Sequence, residues 1–427
     1  MVKVPFAGKH FNHRSVGKTH AYDHATLQAA LDAIATRADN TEENPYLIEI
    51  MADIWDDLDA ITVVDLSHIV IIGQGDASIL RLTSTAPVGA RGGTLTVADD
   101  TAVLVEDVTL QNFRLVNNLA GGGAGQGGPP EGALYIGKEA VHPSTKQYDR
   151  ITVRNMTIEG SHDGLQIFGT NEDFTGTPPF VQVAFNIIRS AHDCYTVKGD
   201  VQLISVANQG LVRDAGIPPY IDNVVDWKST CFHHAVSVGS TGGGVRNAEA
   251  YVRSNGDQFS VFTSGKIGGL ANQRTVAGVL SYAGAVAAET RPPIKQRWNN
   301  TQIHVVNTDT PSDADIHFGG FVFEGASGVD GWNLREDDVV IRGAMIEVDN
   351  QADTANIPIV AGVWLELDIN TNLLKISGAW IDAKNATTGG NAYALYADDA
   401  SCTIERADIY SDQGTGGLGT IAALPSV

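Results

Sequence analysis

The chain is short of positive charge. Against 50 Asp and Glu it has 28 Lys and Arg, a net charge of −22 over 427 residues. That balance argues against nucleic acid as the main partner, and against docking on an anionic membrane. Cysteine is scarce too: Cys194, Cys231 and Cys402 form no C-x-x-C and make no disulfide framework. Long apolar runs are missing. The most apolar stretch, Val276 to Ala288, is too short and too rich in Gly and Ala to span a bilayer, and the opening residues lack an apolar signal core. The expectation is a soluble chain without membrane insertion. Charged residues make up only 18% and hydrophobic ones 43%, so a large core is available and disorder is not expected. What the chain has in quantity is glycine, 46 residues, the composition of many turns between short strands.

Helical periodicity is equally scarce. One segment carries it, Tyr22 to Ile34, with Leu27, Ala30, Leu31 and Ile34 on one face and Asp23 or Thr26 as cap. From Leu47 onward short apolar or alternating runs follow one another, bounded by Gly, Asp or Ser. Four of them align: Ser161–Ile167, Ala191–Val197, Phe232–Val238 and Asn255–Val261, with Glu131–Ile136 as an earlier member. Constant strands at variable spacing predict an all-β parallel β-helix, in which insertions leave as loops. The predicted layout is an N-terminal segment with a capping helix (1–45), the β-helix (46–412) and a C-terminal tail (413–427).

Alternation assigns faces to the aligned strands. Leu165, Tyr195, Val236 and Phe259, with Ile167, Val197, Val238 and Val261, read as the buried stack. The opposite parity puts Glu131, His162, His192 and His233 outside, then Ala133, Gly164, Cys194 and Ala235, then Tyr135, Gln166, Thr196, Ser237 and Ser260, with Lys198 one step on. Such a polar strip, several coils long, suits a chain of sugars. A second column, Asp163, Asp193, His234 and Asp257, stands at the strand entrances. Strict alternation turns it inward, a bulge turns it outward, and the sequence leaves both open. If it faces out, carboxylates on adjacent coils stand about 5 Å apart, a spacing suited to acid/base work on a glycosidic bond. The blander reading of each Asp is a turn former, and of each His a solvated face. No ligand spacing supports a metal, Asp309, Asp313 and Asp315 read as a solvated loop, and Gly121–Gly128 lacks the Gly-Lys-Ser/Thr of a phosphate loop. No cofactor is implied. Trp227, Trp298 and Trp332 stack on sugars or cap the core.

Val16-Gly17-Lys18, Ala21-Tyr22-Asp23, Thr26-Leu27-Gln28-Ala29-Ala30-Leu31-Asp32-Ala33 and Ile71-Ile72-Gly73-Gln74-Gly75 together resemble the pectin-lyase-like right-handed β-helix proteins. In those, a helix caps the first coil and an I-x-G-x-G turn follows an early strand. The wider texture is similar to bacteriophage tailspike and tail-fibre depolymerases. That resemblance implies a right-handed single-stranded β-helix that cuts a bacterial surface or exopolysaccharide. It further implies a homotrimer in a virion tail, outside the cell without a signal peptide, alongside other phage tail proteins. Carried over by position, it implies Asp163, Asp193 and Asp257 as acid and base, with Glu131, His162, His192, His233 and His234 beside them. Tyr135, Gln166, Lys198, Trp227 and Arg253 would then hold substrate. The catalytic motifs of pectate lyases and pectin methylesterases are not found. A lyase, using His192 or His233 with Lys198 or Arg253, and a non-catalytic glycan-binding β-helix remain as rival readings.

Overall fold

The computed structural model describes residues 10–19, 21–55, 62–82, 93–99, 102–117, 132–137, 145–160, 163–170, 174, 176–190, 193–213, 233–239, 250–263, 275–283, 295–308, 310–311, 316–325, 339–366, 372–400 and 402–424. Among the described residues, three long sheets of 13, 10 and 11 strands, here A, B and C, are built from strands that return once per coil, and each sheet runs in chain order. The strands of these sheets pair in parallel, for example Ile151–Arg154 with Phe180–Ala184 in sheet A, and Asp163–Phe168 with Asp193–Lys198 in sheet C. This is the all-β parallel β-helix that the strand pattern predicts.

The stack begins before residue 46 and ends after residue 412. Asn12–Val16 pairs with Tyr46–Ile50, and Thr420–Ala423 pairs with Cys402–Ala407. The expected helix is Leu27–Arg37. Thr26 caps it by accepting from the Ala29 N–H at 3.1 Å, while Asp23 turns away and accepts from Ser15 N and Oγ. Leu27, Ala30, Leu31 and Ile34 are buried in the main core, so the helix closes the end of an otherwise open apolar stack.

Two residues turn the chain from sheet A to sheet B. The first has positive φ, as at Asn155, Phe185, Ala207, Gly256 and Asn300. The second is buried: Met156, Asn186, Asn208, Asp257 and Thr301 stack one above another. Asn186 donates from its backbone N–H to Asn208 Oδ1 (3.0 Å), and Asn208 donates to Asp257 Oδ1 (2.7 Å). A second ladder, Asn307 to Asn350 to Asn385 at 2.8 Å each, follows the strands of sheet B. Both ladders satisfy buried polar backbone where a corner breaks the sheet.

Sheet C carries a repeated bulge. Gly132 pairs with Asp163 and Leu134 with Leu165, leaving Ala133 and Gly164 without a register partner. Both residues after the entrance face inward. A Cβ on Gly164, Gly278, Gly320 or Gly362 would meet Ile188, Ile303, Ile346 or Ile381 of sheet B at 2.2–2.4 Å. Cys194 and Ala394 occupy the same inward column and are buried in the main core. The expectation that Gly164 and Cys194 face out is therefore corrected. Some glycines do sit at corners, such as Gly256, Gly343 and Gly378 at positive φ. Others are in strands because the two sheets approach too closely for any side chain.

Candidate functional site

The bulge decides the facing of the entrance column. With two successive residues turned in, Asp163 and Asp193 share the outer face with Gln166 and Thr196. The contacts agree. Gln166 Nε2 donates to Asp163 Oδ2, Thr196 Oγ1 donates to Asp193 Oδ2 at 3.1 Å, and the Asp193 N–H reaches Asp163 Oδ1 at 3.3 Å. The two strands are neighbours in register, so the two residues stand on adjacent rungs of the sheet, one strand spacing of about 4.8 Å apart at the backbone. Asp163 and Asp193 are 5% and 3% exposed.

Tyr135 and Thr196 flank Gln166 on the neighbouring strands, as the alignment predicts. The Tyr135 ring lies over Gly132, where a Cβ would meet it at 2.6 Å, and packs 5.7 Å from the Phe168 ring. Lys198 occupies the next outward position, its Nζ 5.6 Å from the Phe168 centroid. Gln166 Oε1 is buried and has no hydrogen-bond partner. An acceptor left open beside two carboxylates is an unusual expense in a buried place, and it is where a hydroxyl donor fits.

Asp257 does not belong to this site. The strand after it, Gln258–Thr263, lies in sheet B, and the sheet C strand following His233–Gly239 is Thr275–Ala283. The alignment of Phe259, Ser260 and Val261 with sheet C fails for the same reason. Asp257 is wholly buried at the end of the asparagine ladder, accepting from Asn208 and, at 2.6 Å, from Ser254 Oγ. Burial raises its pKa, and those hydrogen bonds oppose the shift. Arg253 lies in sheet A, paired with Ile204 and Arg297, away from the carboxylates. Trp298 is buried in the core and donates to Gln296 Oε1. Glu131, His162, His192, Trp227 and Trp332 lie outside the described residues, as do Cys231, Gly121–Gly128, Asp309, Asp313 and Asp315. His233 and His234 lie on the next sheet C strand, with His234 in register with Asp193. Among the described residues no cluster of metal-ligating side chains occurs, and no helix is long and apolar enough to cross a membrane.

Sequence reasoning missed an outer-face cluster further along sheet C. Ala277, Leu280, Val322, Ala361, Trp364 and Tyr396 form an apolar group separate from the core. There the His317 ring lies 4.7 Å from Trp364, and its Nδ1 is 2.7 Å from Glu324 Oε1. The signal was present as Leu280, Val322 and Trp364 at equivalent strand positions one coil apart, whereas Tyr396 joins them in register with Trp364 only after a shorter coil.

No family model matches the chain, and no curated protein sequence matches it. Solved structures are similar to it at low identity. A pectin methylesterase in complex with a hexasaccharide is 14% identical over 69% of this chain and 80% of its own, with a TM-score of 0.40. DFA-IIIase from Arthrobacter chlorophenolicus A6, in complex with DFA-III, is 12% identical over 97% and 99%, with a TM-score of 0.43. Escherichia coli YbhC is 13% identical over 73% and 87%, with a TM-score of 0.37.

Proposed function

We propose that the chain is a polysaccharide depolymerase that hydrolyses glycosidic bonds at Asp163 and Asp193. The observation that carries this reading is the pair itself: two outward carboxyls on adjacent coils, with the open Gln166 Oε1 beside them. Retaining glycosidases hold their two carboxyls about 5–5.5 Å apart, closer than inverting ones, and side chains on adjacent rungs are placed for that arrangement. Asp163 accepts hydrogen bonds from Gln166 and from the Asp193 N–H, which hold it as the carboxylate that attacks the anomeric carbon. Asp193 gives its proton to the leaving glycosidic oxygen. It then takes a proton from water, whose oxygen displaces Asp163 from the sugar and restores both groups. Gln166 and Tyr135 are placed to orient the sugar at the cleavage point. At 5% and 3% exposure the carboxyls are shielded from bulk water, which strengthens their field on the bound sugar.

A role in a virion tail, a homotrimeric assembly and a bacterial exopolysaccharide as substrate belong to the same proposal and rest on the family resemblance. Sedimentation equilibrium tests the trimer. Incubating the protein with purified bacterial exopolysaccharides, then sizing the products and taking their mass, tests the reaction. Hydrolysis predicts fragments heavier by one water per cut, released with retained anomeric configuration. Unsaturated, ultraviolet-absorbing ends would establish the lyase instead, and polymer that stays full length would leave only binding.

A further inference from the structure

The outer face of sheet B carries a second feature at the far end of the stack. Met345 pairs with Trp380, and Trp380 bridges to Tyr410, so the three occupy successive rungs of one column. They are 51%, 43% and 65% exposed. Rungs rise about 4.8 Å each, which leaves the Trp and Tyr side by side in solvent. The neighbouring column is polar: Glu347 is in register with Asp382. The segment that follows Tyr410 runs alongside as a wall. Gln413 Oε1 holds it there by accepting from the Ala383 N–H at 3.1 Å and from Ser411 Oγ at 2.9 Å. Between them lies a cleft of about 600 Å³ lined by Trp380, Asp382, Lys384, Tyr410, Asp412 and Gln413. Lys384 donates to Asp382 at 2.6 Å, so carboxylates outnumber cations in the lining.

We propose that this cleft is a glycan-binding site for neutral or amino-sugar residues, separate from the carboxylate pair on sheet C. A pyranose ring has an apolar face of C–H groups and an edge of hydroxyls. The first matches the exposed indole and phenol, and the second matches Asp382, Asp412 and the amide of Gln413. The volume is within the usual range of about 300–1,000 Å³ for small-ligand sites. The acidic lining opposes uronic acids, whose carboxylates would approach Asp382 and Asp412. A second protein surface fits less well, since covering Asp382, Asp412 and Lys384 would strip water from three charges. Because the cleft is on a different sheet from Asp163 and Asp193, it holds a polymer without occupying the cleavage point.

Affinity electrophoresis of the full chain in gels containing dextran, galactomannan, mixed-linkage β-glucan or glycol chitosan tests this, with polygalacturonate as the acidic control. The expected result is retardation in at least one neutral or amino-sugar gel and none in polygalacturonate. Trp380→Ala and, separately, Tyr410→Ala should each weaken that retardation about tenfold, with circular dichroism unchanged. Asp163→Asn should retain it fully, which separates failure of the cleft from failure of the hydrolytic site. No retardation in any of these gels, or retardation that survives both aromatic substitutions, would overturn the proposal. So would sedimentation showing that Trp380→Ala dissociates an oligomer, because the cleft would then be an interface between copies.

Discussion

Asp257 and Asp163 are the same residue type in similar sequence contexts, and their surroundings give them opposite tasks. Asp163 stands on the outer face, whereas Asp257 ends a buried ladder of asparagines. Burial raises the Asp257 pKa above the ordinary 3.8, so folding favours its protonated form. Its contribution to stability is complete below the ordinary carboxyl value and declines as pH rises through the raised one. Asp257→Asn keeps an acceptor for Asn208 and removes the ionisation. Thermal melts should therefore show the variant gaining on the wild type as the pH rises above the ordinary carboxyl value of 3.8, and a constant difference would contradict this. Cys194 offers a second residue-scale test. Burial pushes its thiol up to about 12, and Ile188 O lies 3.3 Å from its sulfur. In the native protein it should resist a thiol-specific alkylating agent at neutral pH and react only on unfolding, as mass analysis of the Cys194 peptide would show.

At the scale of elements, the glycines of sheet C are the point at which sequence and structure part. The core stack was legible, because Leu165 and Tyr195, with Ile167 and Val197, follow the period-two rule. The bulge was not, because alternation assumes one residue per step, and the reason for the extra step is the approach of Ile188, Ile303, Ile346 and Ile381 from another sheet. The asparagine ladders were hidden for a related reason: Asn186, Asn208 and Asp257 become neighbours only once three coils are stacked. The misplacement of Asp257 had a similar origin, since Phe259-Ser260-Val261 alternates like a sheet C strand and only pairing distinguishes the sheets. Gly320→Val should lower stability by about 1–3 kcal/mol through overpacking against Ile346, measured by denaturant unfolding. A further element-scale contact links three strands of sheet B: Glu159, its side chain 1% exposed, accepts from Arg114 Nε at 2.7 Å and from Arg189 Nη1 at 2.6 Å. Glu159→Ala leaves two partly exposed arginines facing each other and should cost about 1–3 kcal/mol by the same assay.

The whole molecule is a ladder whose faces are long columns, so a function that reads along a polymer suits it better than one that encloses a small molecule. The fold was readable from the full length of the chain because every coil repeats the same demand for short buried strands. The candidate site was legible only in part. The alignment grouped Asp163, Asp193, Gln166, Tyr135 and Thr196, and their strands are neighbours in sheet C. The exposed Trp380 and Tyr410 were missed, because nothing in the spacing of two aromatics thirty residues apart announces that they meet across a rung. The acidic excess of −22 now divides into distinct parts: the outward pair, the buried Asp257, the ion-paired Glu159 and solvated surface. The most direct test is the rate of reducing-end release from a cleaved exopolysaccharide by Asp163→Asn, Asp193→Asn and Asp257→Asn, measured side by side on folded protein. The first two should fall by about 10²–10⁴ while Asp257→Asn stays near the wild-type rate. Near wild-type rates for Asp163→Asn and Asp193→Asn, or an equal loss in all three, would contradict the assignment of the site.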